Sequence, residues 1–255
     1  MRTNLIKVKE HPEVVESSTT DGMLDLVIAF DVTGSMWSYI DSVKKYVKEL
    51  VPTLFNANPN LRMGIVAFGD YCDMSSSRIF NKAYQCLEPT NHQDRIVNFI
   101  MGAESTHGGD SDEFYELVIR KITRDTSWRK EANKAVLLIG DAHPHGVGYT
   151  YGDIVRNAQI DWKEEAKEAA KLGIKFDTMT IDPTSSDWYK ELSAITGGVS
   201  LPFSNAAKTQ AVIEAAVYAR SGAYTKDIFK AAQTSLRGDT ELSSVYAAYS
   251  KDLSY

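Results

Sequence analysis

Oxygen-bearing side chains follow two of the most apolar segments of the chain. The run LDLVIAF ends at Asp31, and two hydroxyl residues, Thr33 and Ser35, come after it at alternate positions. The run KAVLLIG likewise ends at an aspartate, Asp141. On a looping backbone, alternate positions can direct one carboxylate and two hydroxyls toward a common point. These four residues are therefore the first candidates for binding chemistry.

A third segment adds oxygen ligands. The stretch Thr106-His-Gly-Gly-Asp110 precedes a predicted helix, and its two glycines permit close approach of the backbone. All the candidate ligands are oxygen donors, with no thiolate among them: Asp31, Thr33, Ser35, Asp110 and Asp141. Such sets favour hard cations, Mg²⁺ first and then Mn²⁺ or Ca²⁺.

Predicted strands and helices alternate around these segments. Continuous apolar runs at 24–30, 61–69, 134–140 and 174–181 are typical of strands buried on both faces. An edge strand is predicted over 79–87 and a short one over 199–203, with helices over 37–55, 92–101, 112–123, 161–172, 187–196 and 206–220. The alternation predicts an α/β fold with a parallel sheet and helices on both faces. In such a doubly wound sheet, ligands bind at the carboxyl ends of the strands.

The composition is that of a folded globule. The 255 residues are 43% hydrophobic and 24% charged, which excludes disorder, collagen and coiled coil. A net charge of −6 argues against nucleic acid as the main partner. No apolar run approaches the ~18 residues of a membrane span, and no signal peptide is evident, so we expect a cytoplasmic protein. The two cysteines, Cys72 and Cys86, are expected to be free thiols, with a disulfide as the alternative.

The ordered set of motifs resembles the von Willebrand factor A domain family. The segment 31–35, DVTGS, is similar to the family's first metal-site motif, Asp-x-Ser-x-Ser, in its Asp-x-Thr-Gly-Ser variant. The segment 108–110, GGD, resembles the second loop in one branch of the family. The strand end 138–141, LIGD, resembles the third loop. The resemblance covers roughly residues 23–220.

This resemblance implies a fold and a domain division. The fold would be Rossmann-like, with a doubly wound, mostly parallel sheet of six strands and helices on both faces. Residues 23–220 would form this domain, 1–22 an N-terminal extension and 221–255 a C-terminal helical tail.

The resemblance also implies a metal-ion-dependent adhesion site. In that site Thr33 and Ser35 would bind Mg²⁺ directly, and Asp31 and Asp141 would act partly through waters. One coordination position would take an acidic side chain of a partner protein. Many members have a threonine where Asp110 stands, and Thr106 is the alternative ligand if the alignment of this segment shifts.

Aromatic and histidine side chains beside these motifs are predicted to form a partner-binding rim. Tyrosine and glycine in long loops suit recognition. The rim candidates are Trp37, Tyr39, His143, His145, Tyr149 and Tyr151. Asp70 and Asp73, after the second strand, are interpreted as solvated loop charges, with an enlarged acidic mouth as the other interpretation. We therefore predict a non-enzymatic, cation-dependent protein-binding domain whose partner presents an exposed Asp or Glu.

Other classes of function agree less well with these residues. A metal-dependent hydrolase or phosphotransferase at the same acidic site is the main alternative, and a module with a structural metal is another. A haloacid-dehalogenase-like phosphatase would need a second aspartate at position 33. A serine hydrolase built on Ser35, Asp141 and either His143 or His145 lacks the G-x-S-x-G elbow. The chain also lacks both nucleotide-binding glycine motifs.

Overall fold

Strands and helices alternate along the chain. The computed structural model describes residues 22–74, 80–109, 111–202, 205–236 and 238–252. The strands are β1 Leu24–Asp31, β2 Leu61–Phe68, β3 Tyr84–Thr90, β4 Asp112–Glu113, β5 Asn133–Gly140, β6 His143–Pro144, β7 Ile174–Thr180 and β8 Ser200–Pro202. The helices are α1 Trp37–Ala57, α2 Phe80–Ala83, α3 Gln93–Gly102, α4 Tyr115–Asp125, α5 Trp162–Lys171, α6 Ser186–Thr196, α7 Thr209–Arg220, α8 Lys226–Ser235 and α9 Thr240–Asp252.

Within these described residues, six strands form one sheet in the order β3-β2-β1-β5-β7-β8. Strand β1 is parallel to its neighbours β2 and β5, and β7 and β8 continue the parallel arrangement. Edge strand β3 is antiparallel to β2. The chain builds the sheet outward in both directions from β1, so the order reverses between β1 and β5. The mostly parallel, six-stranded Rossmann-like sheet is confirmed. The crevice at which sheets of this kind bind ligands lies at the carboxyl ends of β1 and β5.

The apolar core lies on both faces of this sheet. Every side chain of β1 is buried. Leu26 and Ile28 pack with helices α1, α3 and α7, whereas Val27 and Ala29 pack with α4, α5 and α6. The division follows from the strand pleat, which sends successive side chains to opposite faces. Asp31 therefore stands at the end of a strand that is held from both sides.

The C-terminal helices pack onto the α1–α7 layer. Phe229 of α8 and Tyr246 and Tyr249 of α9 are buried in the same cluster as α7. The Tyr249 hydroxyl donates to Asp177 Oδ2 at 3.2 Å. Tyr224 remains 45% exposed. The tyrosines through which the C-terminal helices pack onto the domain are therefore those of α9.

Some boundaries differ from the sequence prediction. Strand β3 begins five residues after the predicted start at Ile79, which lies outside the described residues. Residues 1–21 of the predicted extension 1–22 and Phe203 also lie outside them. Helix α4 begins at Tyr115 because Asp112 and Glu113 form β4, which pairs with β6. No helix in the described part of the chain is both long and apolar enough to cross a membrane.

Candidate metal-binding and partner-binding site

Three loops meet at the crevice: the first loop, 32–36, after β1; the second loop, 103–111, before α4; and the third loop, 141–161, after β5. Asp31 closes β1 with a fully buried side chain. Its Oδ1 accepts from the Thr33 amide at 2.8 Å and from Thr33 Oγ1 at 2.6 Å, and its Oδ2 accepts from the Tyr115 hydroxyl at 2.8 Å. Burial raises the pKa of Asp31 to about 7; the hydrogen bonds from Thr33 oppose this, and the charge of Asp141 adds to it. A bound cation would favour the charged form of Asp31, which burial and the charge of Asp141 disfavour.

Two buried tyrosines form a chain of hydrogen bonds that ends at Asp31. The Tyr189 hydroxyl donates to the Tyr115 hydroxyl at 3.0 Å, and both rings are fully buried. Gly140, the last residue of β5, leaves room for them. A Cβ atom at this position would overlap the Tyr115 hydroxyl and lie 2.7 Å from that of Tyr189. Sequence reasoning missed Tyr115, because an aromatic residue at a helix start carries no signal that distinguishes it from core.

The first and third loops are joined by a hydrogen bond between Ser35 and Asp141. Burial raises the pKa of Asp141, and the charge of Asp182 adds to this effect; the hydrogen bond that Ser35 donates to the Asp141 carboxylate opposes it. Asp141 is half-buried and Ser35 is exposed. The two carboxylates predicted from the strand ends, Asp31 and Asp141, therefore face the same crevice, and they repel each other there.

The second loop brings Thr106 against the first. The Thr106 amide donates to the Val32 carbonyl at 3.0 Å. Its side chain is 4% exposed, and its hydroxyl has no hydrogen-bond partner among the described residues. A buried hydroxyl without a partner is unfavourable, and a ligand would satisfy it. Asp110, the other candidate from this loop, lies outside the described residues.

The donor chemistry of the three loops fits a hard divalent cation. It combines carboxylates that repel each other with hydroxyls, one of them without a partner. Among the described residues, no group of three or more His, Cys, Asp or Glu side chains could hold a metal ion. A cation here would therefore depend on hydroxyl oxygens as well as carboxylates, which suits Mg²⁺ better than a transition metal.

Four of the predicted rim residues reach the surface to different degrees. Trp37 is 49% exposed at the start of α1, and His143 is exposed at the start of the third loop. Tyr149 and Tyr151 are half-buried in that loop. The exposed rim therefore consists mainly of Trp37 and His143.

Two predicted rim residues are buried instead. Tyr39 is 9% exposed because it lies on the face of α1 that packs on the sheet. His145 is 1% exposed; its Nε2 pairs with Asp70 Oδ1 at 2.7 Å, and its ring stacks on Tyr149 at a centroid distance of 3.7 Å. Neither Tyr39 nor His145 presents its side chain to a partner at the surface.

The charges after β2 are also buried. Asp70 is 0% and Asp73 9% exposed, so neither the interpretation as solvated loop charges nor that as an open acidic mouth describes them. Next to them, a cavity of about 450 Å³ is lined by Lys82, His107 and Tyr151, among others. Cys72 lines it as a free thiol, and Cys86 is also free.

Comparison with known proteins assigns the family. A model of the von Willebrand factor type A domain matches residues 25–218, most of the chain. The chain belongs to the von Willebrand factor type A domain family. A domains generally mediate protein interactions.

Relatives of this A domain include an ariadne-like RING finger protein of Acanthamoeba polyphaga mimivirus, 25% identical over 199 residues. The match covers 70% of this chain and spans only 18% of that protein. Among solved structures, proximal thread matrix protein 1 from the mussel byssus has a TM-score of 0.53 at 16% identity, covering 76% of this chain and 46% of that one. BatB from Bacteroides thetaiotaomicron has a TM-score of 0.49 at 16% identity, covering 75% and 95%. The likeness to the mussel protein is one of fold.

Proposed function

We propose that this A domain is a non-enzymatic module that binds a protein partner through a divalent cation, preferably Mg²⁺. Asp31, Thr33, Ser35 and Asp141 would hold the cation, together with Thr106 or Asp110 from the second loop. When bound, Mg²⁺ supplies a Lewis-acidic position that a carboxylate of the partner can occupy. The partner would therefore present an exposed Asp or Glu.

The observation that carries this proposal is the meeting of the three loops. Ser35 of the first loop is hydrogen-bonded to Asp141 of the third, and Asp141 acts electrostatically on Asp31. Thr106 of the second loop adds a buried hydroxyl that lacks a hydrogen-bond partner among the described residues. Burial and mutual repulsion disfavour the two negative charges, and a divalent cation would offset both effects.

The chain's own residues would do two further things. Thr33 and Tyr115 hold both oxygens of Asp31, so this carboxylate has a fixed orientation before any ligand arrives. Trp37 and His143 present exposed side chains beside the loops and would contribute contact area around the partner's acidic residue. Specificity would arise from this surface, because the cation itself reads only a carboxylate.

A displayed library of random peptides tests the proposal and needs no identified partner. Peptides are selected on the immobilised domain in Mg²⁺, and each is then measured in EDTA and with its Asp or Glu replaced by Asn or Gln. We expect the selected peptides to lose binding in both conditions and to lose it on Ser35→Ala.

Two results would contradict the proposal. One is a set of selected peptides that bind equally well in EDTA and without their acidic residue. The other is Mg²⁺-dependent turnover of phosphate or carboxylic esters that disappears in Ser35→Ala, which would favour the metal-dependent hydrolase or phosphotransferase.

A further inference from the structure

The short turn after β2 is closed by its own two aspartates. The Asp73 amide donates to the Asp70 carbonyl at 3.0 Å, and the Asp70 amide donates back to Asp73 Oδ2 at 3.0 Å. Both side chains are directed inward, since they are 0% and 9% exposed. Two buried carboxylates need hydrogen-bond donors that stabilise their negative charge. These donors lie in the second and third loops of the site.

Asp73 holds the second loop. Its Oδ1 accepts from the His107 amide at 3.2 Å, and its Oδ2 is 3.4 Å from the Gly108 amide. Gly69, the residue after β2, allows this close approach: a Cβ atom there would overlap the Thr106 hydroxyl and lie 2.6 Å from Asp73 Oδ2. Thr106, whose hydroxyl has no hydrogen-bond partner among the described residues, therefore packs closely against the turn that Asp73 closes.

Asp70 holds the third loop through His145. The His145 ring pairs with Asp70 Oδ1 at 2.7 Å, and the His145 amide donates to Glu116 Oε2 at 3.1 Å. The Tyr71 hydroxyl, from the same turn as Asp70, donates to Glu116 Oε1 at 2.7 Å. His145 is thus fixed at its ring and at its backbone, four residues after Asp141.

We infer that Asp70 and Asp73 are positioning residues that set the cation affinity of the site without touching the cation. They fix the loops that carry Thr106 and Asp141 relative to each other, so these loops need not be ordered when a ligand binds. The short ladder between β4 and β6 joins the same two loops further along the chain. The part of the inference that concerns cation affinity rests on the proposed function. The part that concerns the fixing of the two loops does not depend on it.

Amide hydrogen exchange and Mg²⁺ calorimetry on the full chain test the two parts separately. Asp73→Asn turns one of the two acceptor oxygens into an N–H donor, so at least one of the Asp70, His107 and Gly108 amides loses its acceptor. We expect faster exchange at 106–109 and Mg²⁺ affinity lower by about tenfold or more, the range found when outer-shell partners of metal sites are removed. Asp70→Asn should speed exchange at 143–149 and weaken Mg²⁺ similarly.

Asp177→Asn is the matched control. Asp177 is equally buried, but it lies in β7 and pairs with Arg220 on the helix layer of α7. We expect this variant to lower the thermal midpoint without faster exchange in either loop and without loss of Mg²⁺ affinity. If Asp70→Asn or Asp73→Asn fails to fold, His145→Gln tests the third-loop contact from its other partner.

The outcomes separate the inference from the proposed function. The inference would be overturned if loop exchange and Mg²⁺ affinity were unchanged in both Asp70→Asn and Asp73→Asn. It would also be overturned if Asp177→Asn showed the faster loop exchange and the weaker Mg²⁺ binding expected of those two variants. If the wild-type chain binds no Mg²⁺, the proposed function fails. In that case, faster amide exchange confined to the loops of the aspartate variants still supports the fixing of the loops by Asp70 and Asp73. Loop exchange equal to that of the wild type overturns it.

Discussion

Tyr115 donates its hydroxyl proton to Asp31 Oδ2 at 2.8 Å, across 84 residues of sequence. The contact ties the end of β1 to helix α4, and Tyr189 extends it to α6 through its own hydrogen bond to Tyr115. Thr33 occupies the other carboxylate oxygen. Asp31 is therefore oriented by groups on both sides, which would pre-organise it for the proposed cation.

Replacement of Tyr115 by Phe should weaken both the fold and the site. The variant leaves one oxygen of a buried carboxyl without its donor, so we expect the free energy of unfolding to fall by about 1–3 kcal/mol. The pKa of Asp31 should rise further, because the Tyr115 hydrogen bond favours its charged form. Urea unfolding measures the first effect. Tyr189→Phe keeps the contact to Asp31 and should cost less; an equal loss in both variants would contradict the special role of Tyr115.

Gly140→Ala should destabilise the protein through the same pair of tyrosines. The new methyl group would overlap the Tyr115 hydroxyl, and overpacking of this kind costs about 1–3 kcal/mol. Gly102→Ala is the control, since a Cβ atom there meets nothing within 4 Å. Thermal unfolding of Gly140→Ala, Tyr115→Phe and the double variant completes a cycle. The double variant should lose less than the sum of the single ones, and strict additivity would refute the steric explanation.

The stability of the chain should depend on pH through Glu116. Burial raises the pKa of Glu116 from 4.5 to about 7, against the hydrogen bond from Tyr71 and the contacts with His145, which lower it. Since the folded pKa lies above the unfolded value, the contribution of Glu116 to stability is complete below about pH 4.5 and is lost as the pH rises to about 7. Glu116→Gln should flatten this slope by up to about 1.4 kcal/mol per pH unit.

Urea titrations at pH 5, 6, 7 and 8 compare the wild type with Glu116→Gln. The groups that face Glu116, namely Tyr71, His145 and the nearby Asp70, are the same in both proteins. A wild-type slope equal to that of the variant over this range would show that Glu116 is already ionised at pH 5.

Asp110→Thr should weaken cation binding, a prediction that comes from the sequence alone. A third carboxylate near a divalent cation adds negative charge at a distance where Coulomb energies reach kcal/mol. We therefore expect lower Mg²⁺ affinity in the threonine variant and a stronger pull on an acidic ligand. Calorimetry of both proteins checks the first point, and equal or tighter Mg²⁺ binding in Asp110→Thr would exclude it.

The fold was predictable because its central strands are buried on both faces. Such strands appear in the sequence as continuous apolar runs, and the runs that end at Asp31 and Asp141 do correspond to β1 and β5. The joining of these two aspartates at one crevice also follows from parallel pairing. Short or irregular elements were less visible: β4 and β6 have two residues each, too few for a periodic pattern.

The support of the site was not predictable, because it depends on contacts between distant residues. Asp70, Asp73 and His145 are residue types that are usually exposed or half-exposed, and only their partners 34 to 75 residues away account for their burial. For the same reason, the position of His145 in a Gly- and Tyr-rich loop predicts a rim residue, whereas the structure buries it. Sequence patterns report the period of a segment, but not which other segment covers it.

Mg²⁺ calorimetry on the wild type, Ser35→Ala and Asp141→Asn tests the central claim most directly. Ser38→Ala, an exposed serine of α1, is the matched control. We predict saturable Mg²⁺ binding by the wild type and Ser38→Ala, and affinity lower by about tenfold or more in Ser35→Ala and Asp141→Asn. Absence of Mg²⁺ binding in the wild type, or equal affinity in all four proteins, would contradict a cation site formed by the first and third loops.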